Sequence, residues 1–419
     1  STSICKPKDN SVANDTSPVA TTLTAVPKLP SLPTYSPLQE RVQRPASYDW
    51  HQSGGIVCIA VYTRWQHVTT RHCTVAIVNN VLSVDIIIQD QSYRLALELA
   101  KKVVSDNFKV SMGSGRSGKL TIELRKVEEA VRWSNIGRTL PGNDTTQLLD
   151  DRERVYHRCH LVGKESLTRD ILLLTLRCPP HLYLPVPTGY HNYLRIPDSI
   201  LCKPYTAVPA SLDVHAFTTQ QAAAAPGNLL HYLIKVYEDG AMSSALDELS
   251  VCEEEGLTAD AEEDSSLVEV TLAEGEHVNS LISGGCDPPV TDVALLAAGT
   301  GITPMLSVML DAIADNRRVL LLFFNKTEED IPWRVELDAL SAKHPPLLQV
   351  QHVLSAASAA WRGKTGRVTL QLLDELLPVA DGHKNVSLAV CGPRGFTDTA
   401  LKLFDELSYV GEEYHAFVG

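Results

Sequence analysis

The sequence predicts a multidomain protein in which an all-β sandwich is followed by an antiparallel β-barrel and then by an α/β domain with a parallel sheet. Three observations predict this class. Short apolar runs separated by turn residues fill residues 47–140, and similar runs resume over residues 153–285. Over residues 288–419, short apolar runs alternate instead with longer runs of helical periodicity. A chain of 419 residues can hold these domains, since a domain averages about 150 residues.

Residues 1–46 differ in composition from the predicted domains. They are rich in Ser, Thr, Pro and Asn, and their few apolar residues show no period. Such a segment buries too little apolar surface to fold alone, so we expect a disordered leader or an interdomain linker.

The two all-β regions differ in how their runs are spaced. In the first region the predicted strands are Ile56–Tyr62, Cys73–Val78, Val81–Ile88, 93–99 and 120–124. Turn signals such as Asn79-Asn80 separate them, which is typical of a β-sandwich. After a polar stretch over 143–154, strands are predicted at 156–162, 166–176, 191–196 and 231–237. Pro and Gly punctuate this second set, which favours an antiparallel barrel.

The last region alternates strands with helices. Strands are predicted at 293–298, 319–324, Leu348–Leu354 and 386–390, with helices at 303–314, 333–343, 369–377 and 396–407. This alternation predicts parallel βαβ units, and such folds bind ligands at the carboxyl ends of their strands.

Charge and cysteine usage exclude several functions. There are 50 acidic and 37 basic residues, for a formal net charge of -13, which disfavours nucleic acid as a partner. The nine cysteines are an odd number with no CxxC pair, so neither a disulfide framework nor a zinc site is expected. We expect reduced thiols, no metal site and a cytosol-facing protein. An acidic run over 253–264 is expected to be a solvated loop, with a docking surface for a basic partner as the alternative.

Two glycine-rich stretches match nucleotide-binding patterns, but only one has the right context. Gly113-Ser114-Gly115-Arg116-Ser117-Gly118-Lys119 precedes a strand-like run, whereas a phosphate loop must open a helix, so we predict a hairpin loop. Gly299-Thr300-Gly301-Ile302-Thr303-Pro304 follows a buried strand and opens a helix. Glycines there allow a pyrophosphate to approach the backbone, and Pro304 suits a first helical turn. The alternative is a tight turn without a ligand.

Three further motifs have both a functional and a structural interpretation. Cys391-Gly392-Pro393 ends a strand, where a small thiol could border a planar ring or simply be buried. Lys203-Pro204-Tyr205-Thr206 could cover a ring and meet a phosphate, or form an edge strand. Gly240-Ala241-Met242-Ser243 could offer amides to an anion, or be an ordinary helix cap.

Taken in order, these motifs and the near-terminal Phe417 resemble the cytochrome b5 reductases, which are ferredoxin-reductase-like flavoproteins. The resemblance covers residues from about 156 to the C-terminus. The first sandwich is similar to a CS domain, the fold of small heat-shock co-chaperones, through Trp50-His51-Gln52, Trp133 and Ile136-Gly137. Asn325-Lys326-Thr327-Glu328, Asp330 and Trp333 resemble a fused member of the family, in which a CS domain precedes the reductase.

The resemblance implies specific roles for residues of this sequence. The FAD-binding residues would be Lys203, Pro204, Tyr205, Thr206, Lys235, Tyr237, Gly240, Ala241, Met242, Ser243, Thr303 and Phe417. The NAD(P)H-binding residues would be Gly299, Thr300, Gly301, Pro304, Asn325, Lys326, Asp330, Cys391, Gly392 and Pro393. Thr303 and Cys391 would be the catalytic pair at the flavin. Asp330 would lie near the adenosine ribose and favour NADH, whereas Lys326 would tolerate the phosphate of NADPH.

The implied reaction passes a hydride from NADH or NADPH to FAD and then single electrons to a haem acceptor such as cytochrome b5. The family's haem domain carries a His-Pro-Gly-Gly motif that does not occur here, so haem is not expected within this chain. The haem domain would act in cis in a longer form or in trans. A second departure is Lys203, where most of the wider family has Arg, which grips phosphate bidentately. By resemblance we also expect association with the endoplasmic reticulum.

Two alternatives remain open from the sequence. In one, the CS-like domain recruits a chaperone or client, and the reductase half is degenerate. In the other, the enzyme is an NAD(P)H diaphorase whose acceptor is a quinone or ferric chelate rather than a haem.

Overall fold

The structure is a computed structural model that describes residues 46–113, 118–252, 265–275, 278, 290–378, 386–409 and 414–417. The predicted leader up to residue 45, the middle of the first glycine-rich loop, the acidic run over 253–264 and the boundary between 285 and 288 lie outside these residues. All described residues belong to one unit, 44–419. No helix among them is long and apolar enough to cross a bilayer.

The N-terminal region is a sandwich of two antiparallel sheets. Its own strands are β1 Ser47–Ser53, β2 Ile56–Tyr62, β3 Cys73–Val78, β4 Val81–Ile88, β5 Gln91–Leu99, β6 Val103–Met112, β7 Lys119–Lys126, β8 Gly137–Thr139 and β9 Thr145–Leu148. One sheet contains β1-β2-β7-β6 and the other β3-β4-β5-β8, with β9 also on β5. Buried faces of both sheets enclose one apolar core.

Strand β6 was not predicted, because the polar run Ser105–Asp106–Asn107 interrupts its alternation. The pairing of β6 with β7 shifts register between Val103 and Phe108, so an irregularity places this polar stretch on the exposed side. A strand whose pattern is broken by a bulge cannot be recognised from period two alone.

The second region is an antiparallel sheet of eight strands. Its elements are β10 Tyr156–Ser166, β11 Ile171–Arg177, β13 Tyr190–Arg195, β14 Cys202–Tyr205, β15 Ala207–Val208, α1 Val214–Ala222, β17 Leu229–Lys235, α2 Ala241–Glu248, β18 Leu267–Thr271 and β19 Glu274–Gly275. The strand order is β14-β13-β18-β10-β11-β17-β15, with β19 on β13. Only Thr206 separates β14 from β15, so the two edges of the sheet adjoin, as in the predicted barrel.

The predicted strand at 166–176 was wrong at its start. Residue Ser166 ends β10, and the chain turns before β11 begins at Ile171. The Leu167 amide donates to the Ile171 carbonyl, and Thr168 Oγ1 donates to Asp170 Oδ1 at 3.2 Å. This local turn chemistry overrides the apolar pattern.

The C-terminal region is a parallel α/β domain. Its elements are β20 Asp292–Ala298, α3 Ile302–Ala314, β21 Arg318–Asn325, α4 Arg334–Lys343, β22 Leu348–Leu354, β23 Lys364–Thr365, α5 Leu370–Leu376, β24 Val386–Cys391, α6 Arg394–Glu406 and β25 Tyr414–Ala416. The sheet order is β23-β22-β21-β20-β24-β25, with every pair parallel. Strand order reverses beside β20, and the carboxyl end of such a strand is a ligand-binding position. The predicted fold class is confirmed.

Two short strands of the barrel region join the sheets of the sandwich. Two short strands from the barrel region, β12 Leu182–Tyr183 and β16 Ala223–Ala224, pair with β3 and β6 of the sandwich. Tyr183 is part of the sandwich core, while Ile87 of the sandwich is part of the barrel core. Because each core contains residues of the other region, the two regions form a continuous packed unit.

A polar network around Gln52 connects β1 to β7 and to the loop after β7. It supports a prediction about the stability of the sandwich. Gln52 Oε1 accepts from Lys126 Nζ at 2.8 Å and from the Trp133 amide at 2.9 Å, while Gln52 Nε2 donates to the Trp133 carbonyl at 2.7 Å. Lys126 is buried and also donates to the Gly54 and Val131 carbonyls at 3.0 Å, so Gln52→Ala would remove one of its three acceptors together with both hydrogen bonds to Trp133. We expect this variant to lower the free energy of unfolding by about 3 kcal/mol.

The measurement is the urea midpoint reported by tryptophan fluorescence. Gln147→Ala is the control, because Gln147 lies on the exposed strand β9 and should change stability by less than about 0.5 kcal/mol. Equal midpoints for Gln52→Ala and the control would contradict the role of this network.

Candidate functional site

A cleft of about 1480 Å³ lies between the barrel and the parallel sheet. Single small-molecule sites usually measure about 300–1,000 Å³, so this cleft has room for more than one ligand. Every residue assigned to FAD or NAD(P)H from the sequence lines it. They reach it from seven places: the barrel seam at β14, the ends of β17, β21 and β24, the start of α2, the loop after β20 and the residue after β25.

The barrel seam supplies an aromatic ring and a cation. Lys203 and Pro204 are exposed on β14, and Tyr205 is half-buried beside them. Burial raises the pKa of Tyr205 to about 12, so the phenol is neutral at physiological pH. Thr206 follows at the junction of the two barrel edges. The motif therefore occupies an edge strand, as its structural interpretation predicted. This edge also borders the cleft.

The start of α2 is a tight turn that leaves backbone amides toward the cleft. Gly240 is its N-cap, and a Cβ there would lie 2.4 Å from Ser243 Oγ. Ser243 is buried, and its hydroxyl donates to the Gly240 carbonyl and accepts from the Tyr237 amide. Its hydroxyl is thus used inside the turn, so Ala241 and Met242 would offer an anion their backbone amides.

The end of β17 adds another cation to the barrel side of the cleft. Lys235 Nζ lies 3.0 Å from Asp170 Oδ2 and 5.9 Å from the centroid of the Tyr237 ring. Tyr237 is 56% exposed, a large aromatic surface left open at the rim of the cleft.

The loop after β20 approaches the cleft through its glycines. Gly299 has a φ of +56°, a backbone conformation that glycine adopts without strain, and no atom lies within 4 Å of where its Cβ would be. Gly301 is the N-cap of α3, and a Cβ there would lie 2.2 Å from the Cys391 carbonyl oxygen. The half-buried Thr303 and the buried Pro304 form the first turn of α3 at the same edge.

The end of β24 completes this edge. Burial raises the pKa of the Cys391 thiol to about 12, so the thiol stays protonated at neutral pH. A Cβ on Gly392 would lie 2.8 Å from both the Ala298 Cβ and a Phe396 ring carbon, so this residue must be small. Pro393 then caps α6. Phe417 is half-buried, and its amide donates to the Val390 carbonyl at 2.9 Å.

At the outer end of the cleft, the carboxylate of Asp330 is already engaged. Its Oδ2 accepts from the Thr327 amide at 3.0 Å and hydroxyl at 2.8 Å, and its Oδ1 lies 3.0 Å from Arg169 Nη2. Lys326 lines the cleft beside it. Asn325 is buried, and its Nδ2 has no hydrogen-bond partner among the described residues.

Comparison with known proteins places this cleft in a family. Residues 295–402 match the family model "Oxidoreductase NAD-binding domain". The cytochrome b5 reductase 4 of Rattus norvegicus is 34% identical over 376 residues, which are 88% of this chain and 68% of the rat protein. The Homo sapiens protein is 33% identical over 377 residues, 88% of this chain and 67% of that protein. The solved CS-b5R domains of human Ncb5or in the NAD+ form match with a TM-score of 0.72 and 33% identity, covering 90% of this chain and all of that chain.

This chain belongs to the cytochrome b5 reductase 4 family. The resemblance to a fused reductase found in the sequence is confirmed. Its C-terminal half is a cytochrome b5 reductase-type, NAD-binding oxidoreductase module. The chain is therefore an enzyme of this oxidoreductase class.

Several residues that line the cleft of this cytochrome b5 reductase 4 family member were not predicted from its sequence. They include Arg169, His191, Ser355, Arg367 and Arg394. Arg394 directly follows the Cys391-Gly392-Pro393 motif, so extending that motif by one residue would have found it. Arg169 is in a hairpin turn and could not be recognised from the sequence, because its ion pair with Asp330 joins two domains.

Proposed function

We propose that this chain is a FAD-dependent reductase that passes a hydride from NADH or NADPH to FAD and then single electrons to a haem acceptor such as cytochrome b5. The observation that supports this most is the shared cleft. It joins an aromatic edge with cations on the barrel to a glycine loop and a small thiol on the parallel sheet. These are the groups needed to hold a planar ring, a pyrophosphate and a dinucleotide in contact.

The cleft fits these cofactors by its own chemistry. Its volume exceeds what one small ligand needs, and Gly299 leaves open space where any side chain would intrude. Asn325 has a buried amide nitrogen without a hydrogen-bond partner among the described residues, which a bound polar group could satisfy. Lys203 provides an exposed positive charge near the amides of α2.

In this proposal the barrel residues hold the flavin. Tyr205 and Thr206 would bind the ring system and the ribityl chain, and Phe417 would stack near the ring until nicotinamide displaces it. Lys203 and the amides of residues 240–243 would hold the pyrophosphate, with Lys235 and Tyr237 at the rim. Bound FAD would supply the conversion between two-electron and one-electron chemistry.

The parallel sheet would hold the nicotinamide dinucleotide. Its backbone would lie across Gly299, Thr300, Gly301 and Pro304, with Gly392 and Pro393 on the other side. Thr303 and Cys391 would face the reacting rings, where Cys391 remains a neutral thiol. Asn325, Lys326 and Asp330 would border the adenosine end. Because the Arg169 guanidinium lies 3.0 Å from the Asp330 carboxylate, the repulsion of a second phosphate is weaker there than an isolated carboxylate would cause.

The acceptor and the surroundings of the enzyme are part of the same proposal. A cytochrome b5-type haem domain would receive the electrons, either in cis in a longer form or in trans. The N-terminal sandwich would be a CS domain, with a chaperone or client as a further partner. We propose a cytosol-facing location in association with the endoplasmic reticulum. None of these partners requires nucleic acid, in keeping with the net charge of -13.

The test is the visible absorption spectrum of the purified chain before and after anaerobic NADH. We expect a flavin spectrum that NADH bleaches. Absence of flavin even after FAD is added would overturn the proposal in favour of an interaction protein. Flavin that neither NADH nor NADPH can reduce would contradict the assignment of the dinucleotide half.

A further inference from the structure

Helix α3 carries a half-buried aspartate, Asp311, on a face remote from the cleft. Asp311 lies eight residues after Thr303, which corresponds to about 12 Å along the helix axis. The carboxylate accepts from Thr188 Oγ1 at 2.6 Å and from Gln221 Nε2 at 2.6 Å. Both donors belong to the barrel region. One side chain of the parallel domain is therefore hydrogen-bonded twice to the barrel domain.

The sandwich contributes a cation to the same junction. Arg71 is half-buried, and its charge acts to lower the pKa of Asp311, against the raising effect of desolvation. Arg71 Nε donates to the Val186 carbonyl at 2.9 Å, and its guanidinium lies 4.8 Å from the centroid of the Phe217 ring. The preceding residue, Thr70, bonds α1 from the sandwich side. Its hydroxyl donates to the carbonyls of Gln220 and Gln221, near the end of α1, at 2.8 and 3.0 Å.

The junction is rigid for a physical reason. A buried carboxylate is costly unless hydrogen bonds and an opposite charge satisfy it, so it tolerates little displacement from its donors. Helix α3 packs against the barrel through an apolar core that contains Met305 and Met309 with Val208 and Leu233. Apolar packing alone holds α3 against the barrel, but it is not directional and does not fix the position of the helix along its axis. The hydrogen bonds of Asp311 add the direction, and they fix how far α3 slides along the barrel.

The first turn of α3 borders the cleft, so the position of the helix sets the position of that edge. We propose that Asp311, held by Thr188 and Gln221 of the barrel region, is a positioning residue for hydride transfer. It fixes Thr303 and the loop over 299–301 relative to Tyr205 on the barrel. The N-terminal sandwich supports this geometry through Thr70, whose hydroxyl donates to the Gln221 carbonyl. The proposal rests on the reductase function argued above.

Three variants test the proposal in the full chain loaded with FAD. In Asp311→Asn, the amide can accept from one donor, but its NH2 group faces the other. Arg71→Met removes the cation while keeping an unbranched side chain. Asp315→Asn is the matched control, because Asp315 caps the same helix one turn later and its side chain is 55% exposed.

The first readout needs no turnover. In hydrogen exchange, we expect the amides that donate to the carbonyls of the first turn of α3 to exchange at least 10-fold faster in Asp311→Asn than in the wild type, and at an unchanged rate in Asp315→Asn. The second readout is anaerobic stopped-flow reduction by saturating NADH. We expect a rate about 10-fold lower in Asp311→Asn, with FAD content and reoxidation by ferricyanide unchanged. Arg71→Met should slow reduction less than Asp311→Asn, because the Arg71 guanidinium bonds the Val186 carbonyl and acts on Asp311 only through its charge.

Two results would overturn the proposal. One is a normal exchange rate and a normal reduction rate per bound flavin in Asp311→Asn. The other is a loss of FAD or of thermal stability with the reduction rate per bound flavin intact, which would make the junction structural only. If Asp311→Asn does not fold, Gln221→Leu removes one of the two donors and should slow reduction about threefold. Failure of the wild type to be reduced would instead reject the reductase function itself.

Discussion

Replacing Gly301 with alanine is expected to slow reduction of the flavin by NADH at least 100-fold while FAD stays bound. The added Cβ would lie 2.2 Å from the Cys391 carbonyl oxygen and 2.8 Å from the Gly392 nitrogen. These are backbone atoms at the end of β24, where Cys391 pairs with Ala297 of the neighbouring strand, so they cannot yield as a side chain would. Helix α3 must shift instead, and a misplacement of about 1 Å can cost roughly 100-fold in rate.

The effect would be steric and not conformational. The φ of Gly301 is −61°, which alanine adopts freely. Gly55→Ala is the control, because its Cβ would meet only the flexible, exposed Glu129 side chain in the sandwich. Stopped-flow reduction and FAD content are measured for both. Wild-type reduction by Gly301→Ala would contradict the close packing of α3 on β24.

Replacing Cys391 with alanine is expected to keep FAD bound but to slow its reduction by about 10-fold. The thiol is small, polarizable and buried at the edge where the rings would meet, so its removal leaves a void beside them. A tenfold change corresponds to about 1.4 kcal/mol in the barrier. Because burial raises the pKa of this thiol to about 12, its ionisation should not alter the reduction rate between about pH 6 and 9.

Cys391→Ser separates shape from chemistry. Serine nearly preserves the size of the side chain, so it should recover most of the rate if Cys391 acts by filling space. Anaerobic stopped-flow at several pH values measures both variants. Unchanged rates in Cys391→Ala would remove the residue from the catalytic geometry, and a rate that rises with pH through the thiol would point to a thiolate role.

Much of the fold was predictable because period and punctuation are local. The strands Ile56–Tyr62, Cys73–Val78, Val81–Ile88 and Leu348–Leu354 have the predicted bounds. Val81–Ile88, for example, is a largely apolar run that directly follows the turn at Asn79-Asn80. The helix predicted at 303–314 begins one residue earlier, at Ile302, because a glycine loop and Pro304 mark its start.

Residues of the cleft were predictable to the extent that they belong to ordered motifs. Lys203-Pro204-Tyr205-Thr206, Gly240-Ala241-Met242-Ser243 and the loop at Gly299 all line it. Short segments with one fixed backbone shape are recognisable in isolation. Arg169 and Arg367 also line the cleft, but each is a single exposed arginine in a turn and has no pattern around it.

The sequence by itself determined the three fold regions and the motifs that border the cleft, because both depend on neighbours along the chain. Only the tertiary structure decided which charges those motifs face. Asp330 forms an ion pair with Arg169 of the barrel, and Asp311 accepts hydrogen bonds from Thr188 and Gln221 of the barrel region. Such pairings join residues far apart in sequence. Their energies depend on burial and distance, which no local pattern encodes.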